Sequence, residues 1–519
     1  MARAALTSLA IALVVSVGGP GCAAVRRTGC PAHGGPAWND FVSDHFVVRT
    51  DLPPKRAGQL VGRLERMRAA VQYALGVEQD LPGRIEVIAF RTKTQFKQFA
   101  PTYSAGYYLR VSGGPPRIVL SSRIGSAERS LLAHELTHHY MSAAYWRQPR
   151  WLSEGMAVYM ESLGEDEPTD DTVTLGGLPS SRYARARLGL VPVRQLLVWD
   201  GTLDREPHDY YASAWVLVHY LLHQRPDAFA DMRRRLAAGE PPLSAWRAAL
   251  PEYLPETGAA LEGLDLTLEA YLRSSMLRDH RELKVPPVVA YLQQPTPPGE
   301  YHAIRLTLWD VGPGRGTEAL AAEVEEALEE APDHPIALQV KAQVLKEGDA
   351  VEMARHAVAS WPDDPRAWAF LGQSLPVGDE RTETYRRAVD LAPNNPALLH
   401  ELAEDLLSRG RPGEALPFAR RAAIAAPWSS PVLATHAQAL SEVGWCAQAL
   451  PSQVRAIEAL PESTPPDRRK AYLASLEGYL AQCRASPPGT APHPPPGDGT
   501  PSPGDRAGPA TLPVSRRGG

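Results

Sequence analysis

Cysteine is scarce in this chain, with four among 519 residues. One of them, Cys22, lies within the N-terminal segment described below, which leaves Cys30, Cys446 and Cys483. An odd remainder argues against a fold held together by a disulfide framework. A single bridge between Cys446 and Cys483 stays open if the compartment is oxidising.

Neither positive nor negative charge strongly predominates in this chain. The chain carries 54 basic and 59 acidic side chains, a net charge of −5, and it has no long basic run. A protein that binds nucleic acid needs a basic surface to neutralise phosphates. We therefore expect no nucleic-acid partner.

The apolar run near the N-terminus is short. Residues Ala5 to Val17 follow a charged start and cannot comfortably span a bilayer, which favours a secretory signal over a membrane helix. Cys22, in Gly19-Pro20-Gly21-Cys22, offers a bacterial lipidation site despite an imperfect lipobox; ordinary cleavage near Ala24 is the alternative. We expect residues 1–24 to be a signal peptide and the protein to be exported to the bacterial cell envelope. There it would be a lipoprotein, held at the membrane by its lipid anchor and facing the periplasm.

Composition divides the rest of the chain. Prolines cluster between Pro286 and Pro298, and beyond them the composition shifts to Ala, Leu, Glu and Arg. The final segment is rich in Pro, Gly and Ser and cannot bury a core. The predicted parts are a catalytic domain over 37–285, a linker over 286–310, helical repeats over 311–484 and a disordered tail over 485–519.

One short motif indicates a chemistry. His134-Glu135-Leu136-Thr137-His138 lies in a stretch compatible with a helix. Residues four apart lie on one helix face, roughly 6 Å apart, so His134 and His138 can both bind one ion. Glu135 is turned to the side of that pair, where it can act on the attacking water without binding the metal. The motif predicts a Zn²⁺ hydrolase with Glu135 as its base.

The next helical stretch supplies a candidate third ligand. Catalytic zinc takes three protein ligands and leaves a fourth position for water. Glu154 follows His138 by sixteen residues, and the small residues Gly155 and Ala157 would let its helix pack closely on the first. The alternative is an ordinary first-turn glutamate favoured by the helix dipole.

These segments resemble the peptidase MA-like gluzincins. In that family H-E-x-x-H is followed by a W-L-x-E-G-x-A helix with the glutamate ligand, here from Trp151, and by a helix of the form Y-x-x-x-W-x-L-V-x-Y-L, here Tyr211 to Leu221. The resemblance covers Trp38 to Arg278. It implies an α+β zincin-like catalytic domain with the metal ligands His134, His138 and Glu154.

The resemblance also implies that the Tyr211 phenol donates to the oxyanion, with Tyr210 as the substitute. The chain departs from the family at Val158, because many zincins place there a carboxylate that orients a ligand histidine. Glu161 or a backbone carbonyl could serve instead. His219 and His223, in the same helix as Tyr211, are expected to be structural or exposed, since nothing near them completes a metal set.

Alternating and apolar segments before the motif predict the surrounding elements. Phe46 to Thr50 and Arg84 to Phe90 read as strands, and Ala57 to Leu75 reads as an amphipathic helix. Gly106 to Arg110 and Arg117 to Leu120 flank a glycine- and proline-rich turn, which suggests a hairpin. By analogy with zincins, Ile118 to Leu120 would be the edge strand that pairs with an extended peptide substrate.

The second half of the chain is periodic. Pro332, Pro362, Pro393, Pro427 and Pro461 recur at separations of 30, 31, 34 and 34, and the last two equal the tetratricopeptide (TPR) period. Trp368-x-x-Leu-Gly-x-x-Leu375 matches the opening signature of that family, and two later segments match it more loosely. This half therefore looks like an all-α TPR solenoid of three to five units, which offers a concave surface to a peptide or protein partner.

Two functions are consistent with these features. The first is an exported zinc metallopeptidase that hydrolyses peptide bonds and whose TPR half recruits its protein substrate. The second is a lipid-anchored TPR adaptor with a zincin module that does not turn over or is active only conditionally. Retention of Glu135 favours the enzyme, because a scaffold has no need of a carboxylate that binds no metal.

Overall fold

The protein is described from a computed structural model. It covers residues 31, 34–77, 80–100, 106–109, 116–121, 125–164, 172–199, 205–256, 258–278, 280–284, 290–309, 316–461 and 464–485. The predicted signal over 1–24, Cys30 and nearly all of the predicted tail lie outside the described residues. Within the described residues, none of the helices combines the length and apolar character needed to cross a bilayer.

A mixed sheet opens the N-terminal half. The strands in chain order are β1 (Asn39–Val42), β2 (Phe46–Thr50), β3 (Ile85–Phe90), β4 (Gly106–Leu109), β5 (Arg117–Ser121), β6 (Thr172–Leu175), β7 (Arg281–Lys284) and β8 (Leu292–Pro295). Six of them form one sheet in the order β4-β5-β3-β2-β1-β8, while β6 and β7 pair separately. β3 runs parallel to both β2 and β5, and the other pairs are antiparallel. The predicted strands and the β4–β5 hairpin are all present.

The helices of this half cover the sheet and extend beyond it. They are α1 (Pro54–Leu75), α2 (Lys93–Lys97), α3 (Ser126–Ala144), α4 (Arg150–Glu161), α5 (Ser180–Ala186), α6 (Val193–Leu197), α7 (Pro207–Gln224), α8 (Pro226–Ala237), α9 (Pro242–Ala249) and α10 (Gly258–Arg273). α1 buries one apolar face, including Leu60, Leu64 and Val71, in the main core beneath α3, α4 and α7. An α+β domain followed by helices agrees with the predicted class.

The edge strand is not the one that the sequence predicted. Ile118–Leu120 belongs to β5, which lies between β4 and β3 and has both of its backbone sides paired. That prediction was wrong, because the hairpin folds outward and leaves β4 at the edge of the sheet. Among the described strands, β4 is therefore the outermost on this side of the sheet.

The predicted linker over 286–310 also needs correction. Within it, β8 pairs with β1 as the opposite edge of the sheet, and α11 (Glu300–Thr307) follows. Pro295 is tolerated because an edge strand has one backbone side without sheet partners. Tyr301 and Ile304 of α11 are buried with Trp38 on the second face of the sheet. The described part of this segment thus belongs to the domain, with β8 exposed at the edge of the sheet and α11 contributing to the core.

The C-terminal half is a TPR-like array of antiparallel helices. Its members are α12 (Thr317–Glu330), α13 (Pro335–Gln343), α14 (Ala350–Ser360), α15 (Pro365–Ser374), α16 (Asp379–Leu391), α17 (Pro396–Ser408), α18 (Pro412–Ala425), α19 (Ser430–Glu442), α20 (Cys446–Glu458) and α21 (Pro466–Ala485). Each periodic proline lies just before one of these helices, from α13 to α21 in alternation. Cys446 and Cys483 form the disulfide that the sequence left undecided. Their Cα atoms are 5.4 Å apart, and the bond links α20 to α21.

The array is docked against the N-terminal domain. Trp428, in the loop between α18 and α19, has its ring centroid 5.2 Å from that of His139 in α3. His139 is buried, and its Nδ1 lies 2.8 Å from the Tyr108 hydroxyl on the edge strand β4. The repeat array therefore reaches the helix that carries the zinc motif and the strand beside it.

Charged contacts continue this interface. Arg366 of α15 binds Glu300 of α11 with an Nη2–Oε2 distance of 2.8 Å, and Glu300 is buried. Arg147 pairs with Glu458 at the end of α20. Because the contacts extend from α11 to α20, the two halves form a joined structure.

Candidate metal site

Three predicted ligands meet at one point. His134 and His138 project from α3, and Glu154 projects from α4, which packs against α3. One ligand atom from each of these side chains lies within 4.8 Å of the others. All three are half-buried, so the site is shielded yet open to solvent on one side.

The distances between these atoms fit a metal ion of zinc size. The two Nε2 atoms are 3.1 Å apart, and Glu154 Oε2 lies 3.5 Å from Nε2 of His134 and 3.4 Å from Nε2 of His138. Ligands about 2.0–2.1 Å from a tetrahedral ion lie about 3.3–3.4 Å from each other. The three donor atoms therefore form one face of a tetrahedron of that size.

Glu154 provides a second test of fit. Its Oε2 atom is buried and accepts no hydrogen bond of good geometry from the described part of the chain. A buried carboxylate oxygen without a donor is costly unless a cation compensates it. Two imidazoles and one carboxylate form one of the donor sets found at catalytic zinc sites.

The outer nitrogens of both histidines have partners. His134 Nδ1 lies 3.0 Å from Glu161 Oε1, and His138 Nδ1 lies 3.0 Å from Ser153 Oγ. An ionised carboxylate only accepts hydrogen bonds, so Glu161 fixes the proton of neutral His134 on Nδ1 and leaves the Nε2 lone pair for an ion. Of the two groups that the sequence offered for orienting His134, Glu161 and a backbone carbonyl, the structure places Glu161 against its Nδ1. Val158 is buried in the apolar core.

The protonation of these groups follows from their contacts. Burial opposes charge on His134, but contacts with Glu154 and Glu161 outweigh it and raise the pKa of His134 to about 9. Burial opposes ionisation of Glu161, yet His134 and Arg182 hold its pKa below the usual range. A metal ion at this site must displace the proton from His134, because protons and metals compete for the same lone pair.

Glu135, the predicted base, neighbours the two candidate ligands of α3 in the sequence. It follows His134 by one residue, which turns its side chain about 100° around the α3 axis. Its side chain is half-buried beside the ligand face. Its carboxylate is not a member of the ligand set.

The two tyrosines are separated by the fold. Tyr210 is buried, with its ring centroid 4.9 Å from that of Trp199. Tyr211 is half-buried, and its ring centroid lies 6.5 Å from that of His134. Burial, and secondarily the charge of Glu154, raise the pKa of Tyr211, so its hydroxyl keeps its proton. Tyr211 is therefore the tyrosine that faces the ligands.

Close packing behind the site depends on a glycine. A Cβ atom on Gly155 would lie 2.6 Å from the Ala214 carbonyl oxygen of α7. The sequence suggested that this small residue admits the motif helix, but it is α7 that approaches here. Gly155 thus brings the helix of Glu154 against the helix of Tyr211.

His219 and His223 lie within hydrogen-bonding distance of groups inside the domain. His219 is fully buried, with Nδ1 2.8 Å from the Tyr271 hydroxyl and Nε2 3.2 Å from the Gly176 carbonyl oxygen. His223 Nε2 lies 3.1 Å from the Tyr159 hydroxyl. Of the two expectations for His219, structural or exposed, its burial agrees with the first.

Ser153 and Arg182 belong to the site but were missed in the sequence. Ser153 stands one residue before Glu154, and a serine in a helix gives no signal of its own. Arg182 lies 28 residues beyond Glu154, in the separate helix α5. Only the folded structure brings it to Glu161.

Comparison with known proteins places a family match over the site. A family model described as "Protein of unknown function (DUF1570)" matches residues 131–244, about a fifth of the chain. The matched segment contains every predicted ligand together with Glu135 and Tyr211. No curated protein matches the chain.

Solved structures similar to this chain include TPR proteins. The protein YrrB, titled a TPR protein with an unusual peptide-binding site, is 19% identical over 32% of this chain and 90% of its own, with a TM-score of 0.25. TTC0263, a TPR protein of Thermus thermophilus, is 16% identical over 35% and 99%, with a TM-score of 0.27. Yeast Tom70 is 14% identical over 69% and 85%, with a TM-score of 0.28. The repeat assignment rests on the helix pairing of this chain.

Proposed function

We propose that the protein is a zinc-dependent metallopeptidase. The observation that carries the proposal is the set of separations of 3.1, 3.4 and 3.5 Å among the donor atoms of His134, His138 and Glu154. Two observations support it: Glu154 Oε2 is buried and accepts no hydrogen bond of good geometry within the described residues, and the Glu161 carboxylate lies behind His134. Zinc held there would supply a Lewis acid and lower the pKa of water to about 7.

The remaining side chains have distinct tasks in this proposal. Glu135 accepts the proton of the attacking water and later returns it to the leaving amine. Tyr211, which keeps its proton, donates a hydrogen bond to the oxyanion that develops on the carbonyl. Glu161 holds His134 in the tautomer that leaves Nε2 available.

The substrate that fits this arrangement is an extended peptide. β4 is the edge of the sheet, and its Tyr108 contacts His139, the neighbour of the ligand His138. Backbone groups on an edge strand pair with extended chains and give little affinity for compact small molecules. We therefore propose that the substrate is a peptide or an unfolded protein.

The TPR-like array is proposed to bind a protein partner or the substrate itself. Its docking through Trp428 onto His139 keeps the array at a fixed position beside β4. Substrate recruited by the array would then be delivered close to the site. Export to the cell envelope, with a lipid on Cys22, completes the proposal and derives from the sequence alone.

A second candidate function is a protein-binding scaffold without turnover. The TPR-like array favours it, since such arrays present surfaces for protein partners. In that case the ligand set would bind metal for stability only. Glu135 then has no task.

The two candidates are separated by Glu135→Gln. This change keeps size and removes the basic oxygen, so zinc content should stay at one per chain while hydrolysis of unfolded protein falls by roughly two to four orders of magnitude. Glu269→Gln, an exposed position on α10, is the matched control and should behave as the wild type. Equal hydrolysis by the wild type and Glu135→Gln would favour the scaffold.

A further inference from the structure

Arg182 connects two parts of the candidate site. On α5, its Nη2 donates to Glu161 Oε1 at 2.8 Å and its Nε donates to Glu161 Oε2 at 3.1 Å. Its guanidinium carbon lies 5.4 Å from the ring centroid of Tyr211. The same group therefore contacts the partner of a metal ligand and the candidate oxyanion donor.

The contact between Arg182 and Glu161 is bidentate. A guanidinium holds both oxygens of a carboxylate in one plane, which a lysine cannot do. Glu161 Oε1 is shared between Arg182 and His134 Nδ1, which is 3.0 Å away. Since both oxygens are fixed by Arg182, the direction from which Glu161 meets the imidazole is fixed as well.

The contact with Tyr211 acts on a different helix. Tyr211 projects from the first turns of α7, where Arg182 Nη1 also lies 3.2 Å from His208 Nδ1. A guanidinium over an aromatic face restrains the ring by electrostatic attraction. α5 thus links α4, which carries Glu154 and Glu161, to α7.

We propose that Arg182 is a positioning residue that orients the metal ligand His134 through Glu161 and holds Tyr211 over the same site. The inference rests on the proposed function for the presence of the metal. It requires no contact between Arg182 and substrate.

The test measures zinc affinity by competition with a chromophoric chelator, which does not depend on hydrolysis. Arg182→Ala should bind zinc roughly tenfold more weakly, the lower end of the range seen when groups behind a ligand are removed. Arg182→Lys keeps the charge but cannot make the bidentate contact, so its zinc affinity should lie between those of the wild type and Arg182→Ala. This variant provides the test if Arg182→Ala does not fold. Arg185→Ala is the matched control, because Arg185 lies on the same helix and pairs with Asp209 at the surface.

A double-mutant cycle decides whether Arg182 acts through Glu161. If it does, the double variant Glu161→Gln/Arg182→Ala binds zinc about as weakly as Glu161→Gln alone. Wild-type affinity in both Arg182 variants, or losses that simply add in the double variant, would overturn the proposal. Failure of the proposed peptidase function is distinct, since it would appear as zinc binding without hydrolysis in the wild type.

Discussion

Replacement of Glu161 by Gln tests how the site is held. The change keeps the shape of the side chain but removes the negative charge of the acceptor that lies 3.0 Å from His134 Nδ1. It also places a neutral amide opposite the Arg182 guanidinium, whose Nη2 and Nε lie 2.8 and 3.1 Å from the two Glu161 oxygens. Glutamine can still accept one hydrogen bond, so the site should persist with a less basic and less well-oriented His134.

The magnitude follows from the place of Glu161 behind the ligand. Loss of such a partner lowers metal affinity by about 10- to 100-fold. At about 1.4 kcal/mol for each tenfold change, the loss is about 1.4–2.8 kcal/mol of binding free energy. Because the carboxylate also pairs with Arg182, we expect a value in the upper half of this range.

The assay is chelator competition at pH 7.5 with the wild type, Glu161→Gln and Ser153→Ala. Ser153→Ala removes the partner of His138 Nδ1, a neutral hydroxyl, and should cost less affinity than Glu161→Gln. Glu269→Gln serves as the surface control. Zinc affinity in Glu161→Gln equal to that of the wild type would refute the assignment of Glu161 as the group that orients the ligand.

Three further predictions concern packing, docking and pH. Gly155→Ala should lower the melting temperature and zinc affinity together, because its Cβ would meet the Ala214 carbonyl oxygen at 2.6 Å; retention of both properties would contradict the close α4–α7 contact. Trp428→Ala should increase proteolysis between the domain and the array, since the ring contact with His139 is lost; an unchanged digestion pattern would mean that this contact does not hold them together. Burial, followed by the charges of Arg420 and Arg455, lowers the pKa of His436 from 6.5 to about 4. The folded state therefore resists protonation of this ring, so its contribution to stability is complete above pH 6.5 and is lost as the pH falls toward 4. The loss is at most about 3 kcal/mol, and in His436→Gln the decline measured by thermal unfolding across that window should be shallower; an identical slope would show that another group is responsible.

Much of the site could be predicted because its main ligands are local in the sequence. The four-residue spacing of His134 and His138 places both on one helix face whatever surrounds the helix. The repeat array is likewise visible, since its helices and the prolines before them recur at a fixed period. The first feature depends on neighbours within about one helical turn, and the second on a regular repeat along the chain.

Other features depended on contacts between distant segments. The strand β8 lies in the proline-rich stretch, and α11 follows it within the predicted linker. The local composition indicates a linker, but β8 pairs with β1 and α11 packs in the core around Trp38. The position of β5 inside the sheet was missed for the same reason, because strand order is not encoded in the alternation of a single strand.

The amino-acid sequence by itself determined which residues are the candidate metal ligands, since helical geometry fixes the spacing of the histidines and chemistry limits the choice of the third ligand. Only the tertiary structure decided that Glu161 and Ser153 support the histidines, that Tyr211 rather than Tyr210 faces them, and that the array rests on His139. The physical reason is that these choices depend on how α4, α5, α7 and the repeats pack on α3, and packing is a property of surfaces that are far apart in the chain.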